Sequence, residues 1–199
     1  MNKLLLIVFF LAPFIVTGQT YNENLLQWRK SHIASQQRGN YLMKPSEIEN
    51  LRYFEPDEDY CVHAKFTPAK VKKQLVLQSG NGGKKQVVKE YGCADFELMS
   101  TPVRLHIYKL VNPGSGAEYE LFIPFSDPTN GTATFRGGRY LNIDLKDFSG
   151  NMVTIDFNKC YNSHAAYERG YSYVIPPGEN HLKLEINAGE KAYGEDPGF

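Results

Sequence analysis

A mainly β fold, an antiparallel β-sandwich or partly closed barrel with one or two short N-terminal helices, is what this sequence predicts. Apolar residues recur at every second position in run after run from residue 59 onward, and glycine-rich turn signals separate the runs. Helical spacing is confined to the stretch before residue 52. Many short strands with turn signals and no helices between them argue for antiparallel pairing.

Residues 1–19 carry Lys3, an apolar core over positions 4–16 and small residues near Gly18, the layout of a secretory signal peptide. That core is broken by Pro13 and falls short of the roughly 20 apolar residues that a membrane span needs. There is no second long apolar run and no cysteine at the cleavage point. The expected product is an exported chain, periplasmic or secreted, that starts near Gln19 or Thr20 and has no transmembrane segment or lipid anchor. Residues 20–199 then form a single β-rich domain. At about 180 residues such a chain hides roughly 70% of its unfolded surface and needs no metal or disulfide staple.

Within the domain, Leu25, Leu26, Trp28, Arg29 and Ile33 fall at near-helical spacing over residues 22–37, with Asn22 or Asn24 able to cap the first turn. Pro45 opens a second helix of one or two turns over residues 45–51. From Asp59 the period becomes two: Tyr60, Val62, Ala64 and Phe66 point one way, Cys61, His63 and Lys65 the other. Further strands are expected at 71–78, 84–91, 94–99, 103–110, 119–124, 139–144, 152–157 and 182–188. Gly80-Asn81-Gly82-Gly83 and Ser149-Gly150-Asn151 supply turn chemistry that closes hairpins. Between residues 157 and 182 the pattern lapses, and Tyr161, Tyr167, Tyr171 and Tyr173 suit that segment to covering the core.

Lys and Arg number 22, as do Asp and Glu, so no electrostatic case for nucleic acid exists. Three cysteines permit one disulfide at most, and a Cys61 to Cys93 bridge competes with the reading of both as small buried apolar residues. No two cysteines lie two to four residues apart, and His32, His63, His106, His164 and His181 never fall in a zinc-protease arrangement. No metal and no other cofactor is therefore expected. His63 and His106 read as surface or strand-face residues.

Function, if it is localised, belongs to residues 125–191, where glycines, aromatics and charges are spaced as no plain strand requires. Asp127-Pro128-Thr129-Asn130-Gly131 offers a carboxylate, a hydroxyl and an amide for Ca²⁺ or a sugar hydroxyl. It also reads as a turn, because the spaced carboxylates of a calcium loop are absent. Gly137-Gly138-Arg139 brings backbone N–H groups and a guanidinium to an anion, or else makes a bulge with Arg139 paired inside the fold, Asp156 being the first choice. Asp156, Asn158 and Asn162 sit where a strand gives way to the irregular segment, a usual place for site residues, although Asp156 is equally a solvated charge. Glu179 and Asn180 either join the site or tie down the Pro176-Pro177 loop, and Glu190-Lys191 marks an exposed strand end or a part of the motif. Asp127 and Asp156 are the weak catalytic candidates, as an acid and base pair. No Gly-x-Ser-x-Gly elbow is present, and Ser126 and Ser163 have only general hydroxyl chemistry.

Together with Trp28-Arg29, Tyr53-Phe54-Glu55-Pro56, Tyr91-Gly92 with Phe96, and Leu121-Phe122-Ile123-Pro124-Phe125, these motifs make the chain resemble the domain-of-unknown-function 1684 family. The likeness covers nearly all of the mature chain and is densest over residues 121–191. It implies a β-rich fold and a bacterial, often exported protein, and it carries over no activity. Family members commonly have a Pro-rich Cys-Ala-Tyr stretch after the Tyr-Asn pair and a second Cys just before the Pro-Pro motif. Matching those motifs places Ala165 and Tyr173 at the two cysteine positions. Joint loss is what a pair acting together, as a disulfide or as metal ligands, would show; His164 stands beside the first position.

The leading expectation is an exported, noncatalytic domain that binds a small molecule or an envelope component. Its ligand residues are Asp127, Thr129, Arg139, Asp156, Asn158, Asn162, Glu179 and Asn180, with Arg139 as the anchor. One alternative is a hydrolase that uses Asp127 and Asp156 on a glycan or ester. Another is a purely structural or interaction protein whose partner meets the N-terminal helices.

Overall fold

The computed structural model describes residues 20–36, 45–71, 74–83, 85–111, 121–168 and 170–194. The expected signal peptide over residues 1–19 lies outside them, as do residues 37, 72, 73, 84, 119 and 120 of the predicted elements. The protein is mainly β: a curled sheet that forms a half-barrel, with one N-terminal helix. The partly closed barrel is thus the correct branch of the expected fold.

Helix α1 (Tyr21–Gln36) starts where its spacing predicts. Its cap differs from expectation, because Thr20 rather than Asn22 or Asn24 does the work. Thr20 Oγ1 accepts from the Glu23 N–H at 3.3 Å and Glu23 Oε2 accepts from the Thr20 N–H at 2.9 Å, a reciprocal capping box. Tyr21, Leu25, Trp28, Arg29 and His32 then form one stripe against the sheet. Leu25 is buried, Arg29 donates to Phe54 O at 3.0 Å, and the His32 ring lies between Trp28 (4.9 Å) and Tyr161 (4.8 Å). Helix α2 (Pro45–Ile48) opens at the proline as expected but is a single turn, shorter than the predicted 45–51.

The strands are β1 (Cys61–Pro68), β2 (Gln74–Leu77), β3 (Ser79–Gly80), β4 (Gln86–Leu98), β5 (Thr101–Leu110), β6 (Leu121–Phe125), β7 (Arg139–Ile143), β8 (Phe148–Ser149), β9 (Met152–Asp156) and β10 (Tyr173–Val174). Among the described residues they make an eight-stranded sheet in the order β7-β6-β5-β4-β1-β9-β8, with β2 also on β4, and a separate β3–β10 pair. Every pairing between these strands is antiparallel. Alternation sorts the two faces. Leu105 and Ile107 enter the main core with Ala64, Leu98, Ile123, Phe125, Val153, Ile155, Phe157 and Ile186. Tyr108, facing the other way, joins Leu77, Val88 and Phe122 in a smaller cluster on the opposite side.

Two strand expectations need correction. The stretches 84–91 and 94–99 are one long strand, β4, broken in register by a bulge between Glu90 and Gly92. A glycine is required there because a Cβ on residue 92 would sit 2.5 Å from the Thr67 carbonyl and from the Phe66 ring. Residues 182–188 alternate like a strand and bury Leu182, Ile186 and Ala188, yet they form no strand. Their backbone is satisfied instead by side chains, chiefly Arg139, and by one bond from the Leu182 N–H to Ser126 O at 2.7 Å. The chain beyond them closes on the N-terminal part: the Phe54 N–H donates to Gly189 O (2.9 Å), the Lys191 N–H to Arg52 O (2.8 Å), and Tyr53 bridges Glu190.

The cysteines are free. Register excludes a Cys61 to Cys93 bridge, since β1 places Thr67, not Cys61, opposite Cys93. At ~3.3 Å per residue, Cys61 lies roughly 20 Å further along the strand, well beyond the ~7 Å reach of a disulfide.

Candidate functional site

The residues singled out in the sequence fall into four places. The first is the buried pair Asp127 and Arg139. The register Phe125↔Arg139 puts the start of β7 beside the end of β6, so Asp127, two residues on, meets the guanidinium. Arg139 Nη2 donates to Asp127 Oδ2 at 2.8 Å, with both side chains at 0% exposure. Arg139 also donates to the carbonyls of Ile186 (2.8 Å), Ala188 (2.6 Å) and Glu190 (3.5 Å). Asp127 Oδ1 accepts from the Thr129 N–H (2.9 Å), the Thr129 hydroxyl (2.6 Å) and the Ile186 N–H (3.3 Å). The guanidinium therefore reads the chain's own backbone. The partner expected for Arg139 was Asp156; the fold carries Asp156 elsewhere.

Asp156, opposite Cys61 at the β1–β9 edge, forms the second place with Asn158. It is 5% exposed, so it is not the solvated charge considered above. Asp156 Oδ1 accepts from the Tyr21 hydroxyl at 2.8 Å and from Asn158 N and Nδ2 at 3.1 Å each, and Lys159 Nζ lies 3.1 Å from Oδ2. Asn158 also bonds both backbone groups of Asp57, at 3.0 and 2.7 Å. Burial and the Asp156 carboxylate push the Tyr21 hydroxyl far above its ordinary range. This group pins the start of α1 to the sheet. Asp127 and Asp156 share no hydrogen-bonding partner among the described residues.

Asn162 makes the third place with Glu190. The Glu190 carboxylate, 1% exposed, accepts from Asn162 N (3.1 Å), Asn162 Nδ2 (3.0 Å) and the Tyr167 hydroxyl (2.7 Å). Burial pushes it up to about 7, against the hydrogen bonds from Tyr167 and Asn162 that favour its charged form. Glu190 is no exposed strand end. Nearby, Ala165 and Tyr173, the two positions of the family cysteines, share one apolar cluster with Phe135.

Glu179 and Asn180 are the fourth. Asn180 lies between β5 and β6: its Oδ1 accepts from the His106 N–H (2.7 Å), and its Nδ2 donates to His106 O and Pro124 O (2.9 Å each). The amide thus completes a ladder in which Pro124 has no N–H to offer. Glu179 Oε1 accepts from the Tyr108 hydroxyl at 2.8 Å.

Beside this fourth place stands a group that sequence reasoning missed. Glu90, Cys93 and His106 are, among the described residues, the three metal-ligating side chains that converge. The bulge makes them neighbours. Glu90 and Cys93 are three apart and would face opposite ways on a regular strand, but the extra residue restores parity. Glu90 then lies opposite Tyr108 and Cys93 opposite His106, all on one face. Glu90 Oε1 is 2.8 Å from His106 Nδ1, and Cys93 Sγ is 3.4 Å from Glu90 Oε1 and 3.5 Å from His106 Nδ1. The glutamate and histidine side chains are 28% and 24% exposed, so the group is open to solvent on one side. Burial, then the hydrogen bond to Glu90, pushes the Cys93 thiol up to about 11. Such a thiol is protonated near neutral pH and is not a poised nucleophile. The signal available in the sequence was Gly92 itself, a glycine inside a strand pattern.

No described helix is long and apolar enough to cross a membrane. A search of curated proteins finds no match to the chain. The solution NMR structure of an uncharacterized protein from Haloarcula marismortui is similar at 27% identity and a TM-score of 0.62, covering 85% of this chain and 97% of that one. The family model "Protein of unknown function (DUF1684)" matches residues 46–191.

Proposed function

Because the chain belongs to the DUF1684 family, whose description carries no activity, we propose a function from the sequence and the geometry: an exported, noncatalytic β-domain that binds a small molecule or envelope component. The observation that carries this reading is the half-open group Glu90, Cys93 and His106 on the sheet face, next to Glu179 and Asn180. Arg139 and Asp127, by contrast, have no exposed surface for a ligand. Ligand contact is therefore assigned to residues 90–93, 104–108 and 179–180, and the buried polar motifs hold the scaffold that presents them. Support for a noncatalytic role comes from the separate engagement of Asp127 and Asp156.

The test is a titration of the ¹⁵N-labelled mature chain with a library of polar fragments and soluble glycan pieces. Amide shifts confined to those residues, and lost in folded His106→Ala, are expected. Shifts that gather elsewhere, or a complete lack of binders, would remove the reading. Export is checked separately, by the mass of the protein recovered from cell fractions: cleavage near Gln19 or Thr20 is expected, and an uncleaved cytoplasmic chain would overturn it.

A further inference from the structure

The geometry points to a divalent transition-metal site of zinc type at Glu90, Cys93 and His106, with a fourth coordination position open to solvent or ligand. It deepens the binding reading by naming the chemistry at the same group. On binding, the metal displaces the Cys93 thiol proton to solvent, and the donor set becomes one thiolate, one imidazole and one carboxylate, the three classes that zinc takes. Around a tetrahedral ion, with bonds of ~2.0–2.3 Å, ligand atoms stand roughly 3.3–3.6 Å apart. The two contacts of Cys93 Sγ, at 3.4 and 3.5 Å, already have that separation. Only the Glu90 to His106 contact, at 2.8 Å, has to widen, by roughly half an ångström, which a glutamate rotamer accommodates.

The scaffold is rigid where a metal needs it. Cys93 and His106 face each other across β4 and β5, and the His106 backbone is held from the other side by Asn180. The bulge that swings Glu90 into line is fixed by the close approach of β1 to Gly92. Three protein ligands and an open side leave a fourth position for water or a bound ligand, unlike closed structural sites with four protein ligands. The competing reading of the same atoms is a metal-free carboxylate–imidazole pair with a thiol beside it, whose only role is to fix the bulge.

Cobalt(II) separates the two readings, because a thiolate ligand adds a near-ultraviolet charge-transfer band to the visible ligand-field bands. The mature chain, freed of metal with a chelator, is titrated with Co²⁺ and then with Zn²⁺. One equivalent of Co²⁺ is expected to give the thiolate band, and Zn²⁺ is expected to displace it and raise Tm. In Cys93→Ser the band should vanish, and in His106→Ala and Glu90→Gln affinity should fall by more than the ~10–100-fold typical of losing an outer-sphere partner. Cys61→Ser should behave as wild type. Circular dichroism confirms that each variant is folded, and Cys93→Ser, the smallest change, keeps the test decisive if His106→Ala is not. No thiolate band, a band that survives Cys93→Ser, or one that Cys61→Ser abolishes overturns the assignment. If Co²⁺ and Zn²⁺ fail while fragment shifts still map to residues 90–93, 104–108 and 179–180, the metal is wrong and the binding reading stands. If metal binds and no fragment does, the reverse holds.

Discussion

Replacing Arg139 by Met tests whether the motif 125–139 is architecture. The substitution keeps most of the apolar stem and removes the guanidinium, which leaves the Asp127 carboxylate at 0% exposure without its cation. Breaking a buried pair in this way costs about 3–5 kcal/mol. The carbonyls of Ile186 and Ala188 lose their donor as well, and each buried orphan adds about 1–3 kcal/mol where water cannot reach it. These terms overlap, so the expected loss is at least about 4 kcal/mol, against a total stability of about 5–15 kcal/mol for an ordinary domain. At about 2–4 °C per kcal/mol for this chain length, Tm should fall by about 8–16 °C. Urea unfolding followed by far-ultraviolet dichroism, and by fluorescence of Trp28, the single tryptophan, gives the value and tests two-state behaviour. Arg139→Lys should recover little, since an ammonium cannot span carboxylate and carbonyls as the fork does. Pairing Arg139→Met with Asp127→Leu should cost less than the sum of the two changes, because no charge is then stranded. A loss below about 1 kcal/mol for Arg139→Met, with unchanged m-value, would refute the architectural role.

Glu190 and His32 make opposing contributions to the pH dependence. Burial raises the Glu190 carboxyl to about 7, so it supports the fold fully below its unfolded value near 4.5 and loses that support as pH rises through about 7; the difference is worth about 3 kcal/mol. Burial, chiefly, lowers His32 to about 4, so its support is present above about 6.5 and is lost as pH falls through about 4. The two largely cancel in the wild type, and Glu190→Gln should leave stability rising with pH across that window; a urea-midpoint profile parallel to wild type would contradict this. Asn180→Leu should cost about 1–3 kcal/mol and speed hydrogen exchange at the His106 amide before other β5 amides, and unchanged protection there would count against the wedge. Tyr21→Phe should cost about 1 kcal/mol and make residues 20–36 more open to limited proteolysis, an effect that equal cleavage of both proteins would exclude. Gly189→Ala should fail to accumulate folded protein, because φ at this residue is +76° and a Cβ would meet Cys160 Sγ and two carbonyls at 2.7 Å; a native dichroism spectrum would disprove it.

Period-two alternation made most of the strands legible because burial on one face is what alternation encodes. It misled at residues 182–188 for the same reason: Leu182, Ile186 and Ala188 are buried as a strand would bury them, but the Ile186 and Ala188 carbonyls take their hydrogen bonds from an arginine side chain. Which carboxylate Arg139 would choose was likewise beyond local pattern, since it depends on β7 lying next to the end of β6. Asp127, Thr129 and Arg139 do meet, as their clustering in the sequence suggested. Glu90, Cys93 and His106 stayed hidden because one extra residue reverses side-chain parity, and only the registry on β5 reveals that it has done so.

The joining of residues 52–54 to 189–191 has a consequence for how the protein comes into being. A folding chain can pair β4 with β5 early, since those contacts are local. It cannot clasp Tyr53 to Glu190, or give Arg139 its carbonyls, until residues 186–190 have joined it. Up to that moment two opposite charges wait in an unfinished core, and half-built polar networks are worse than none. N-terminal fragments ending before residue 186 should therefore be collapsed and unlocked, not small versions of the whole.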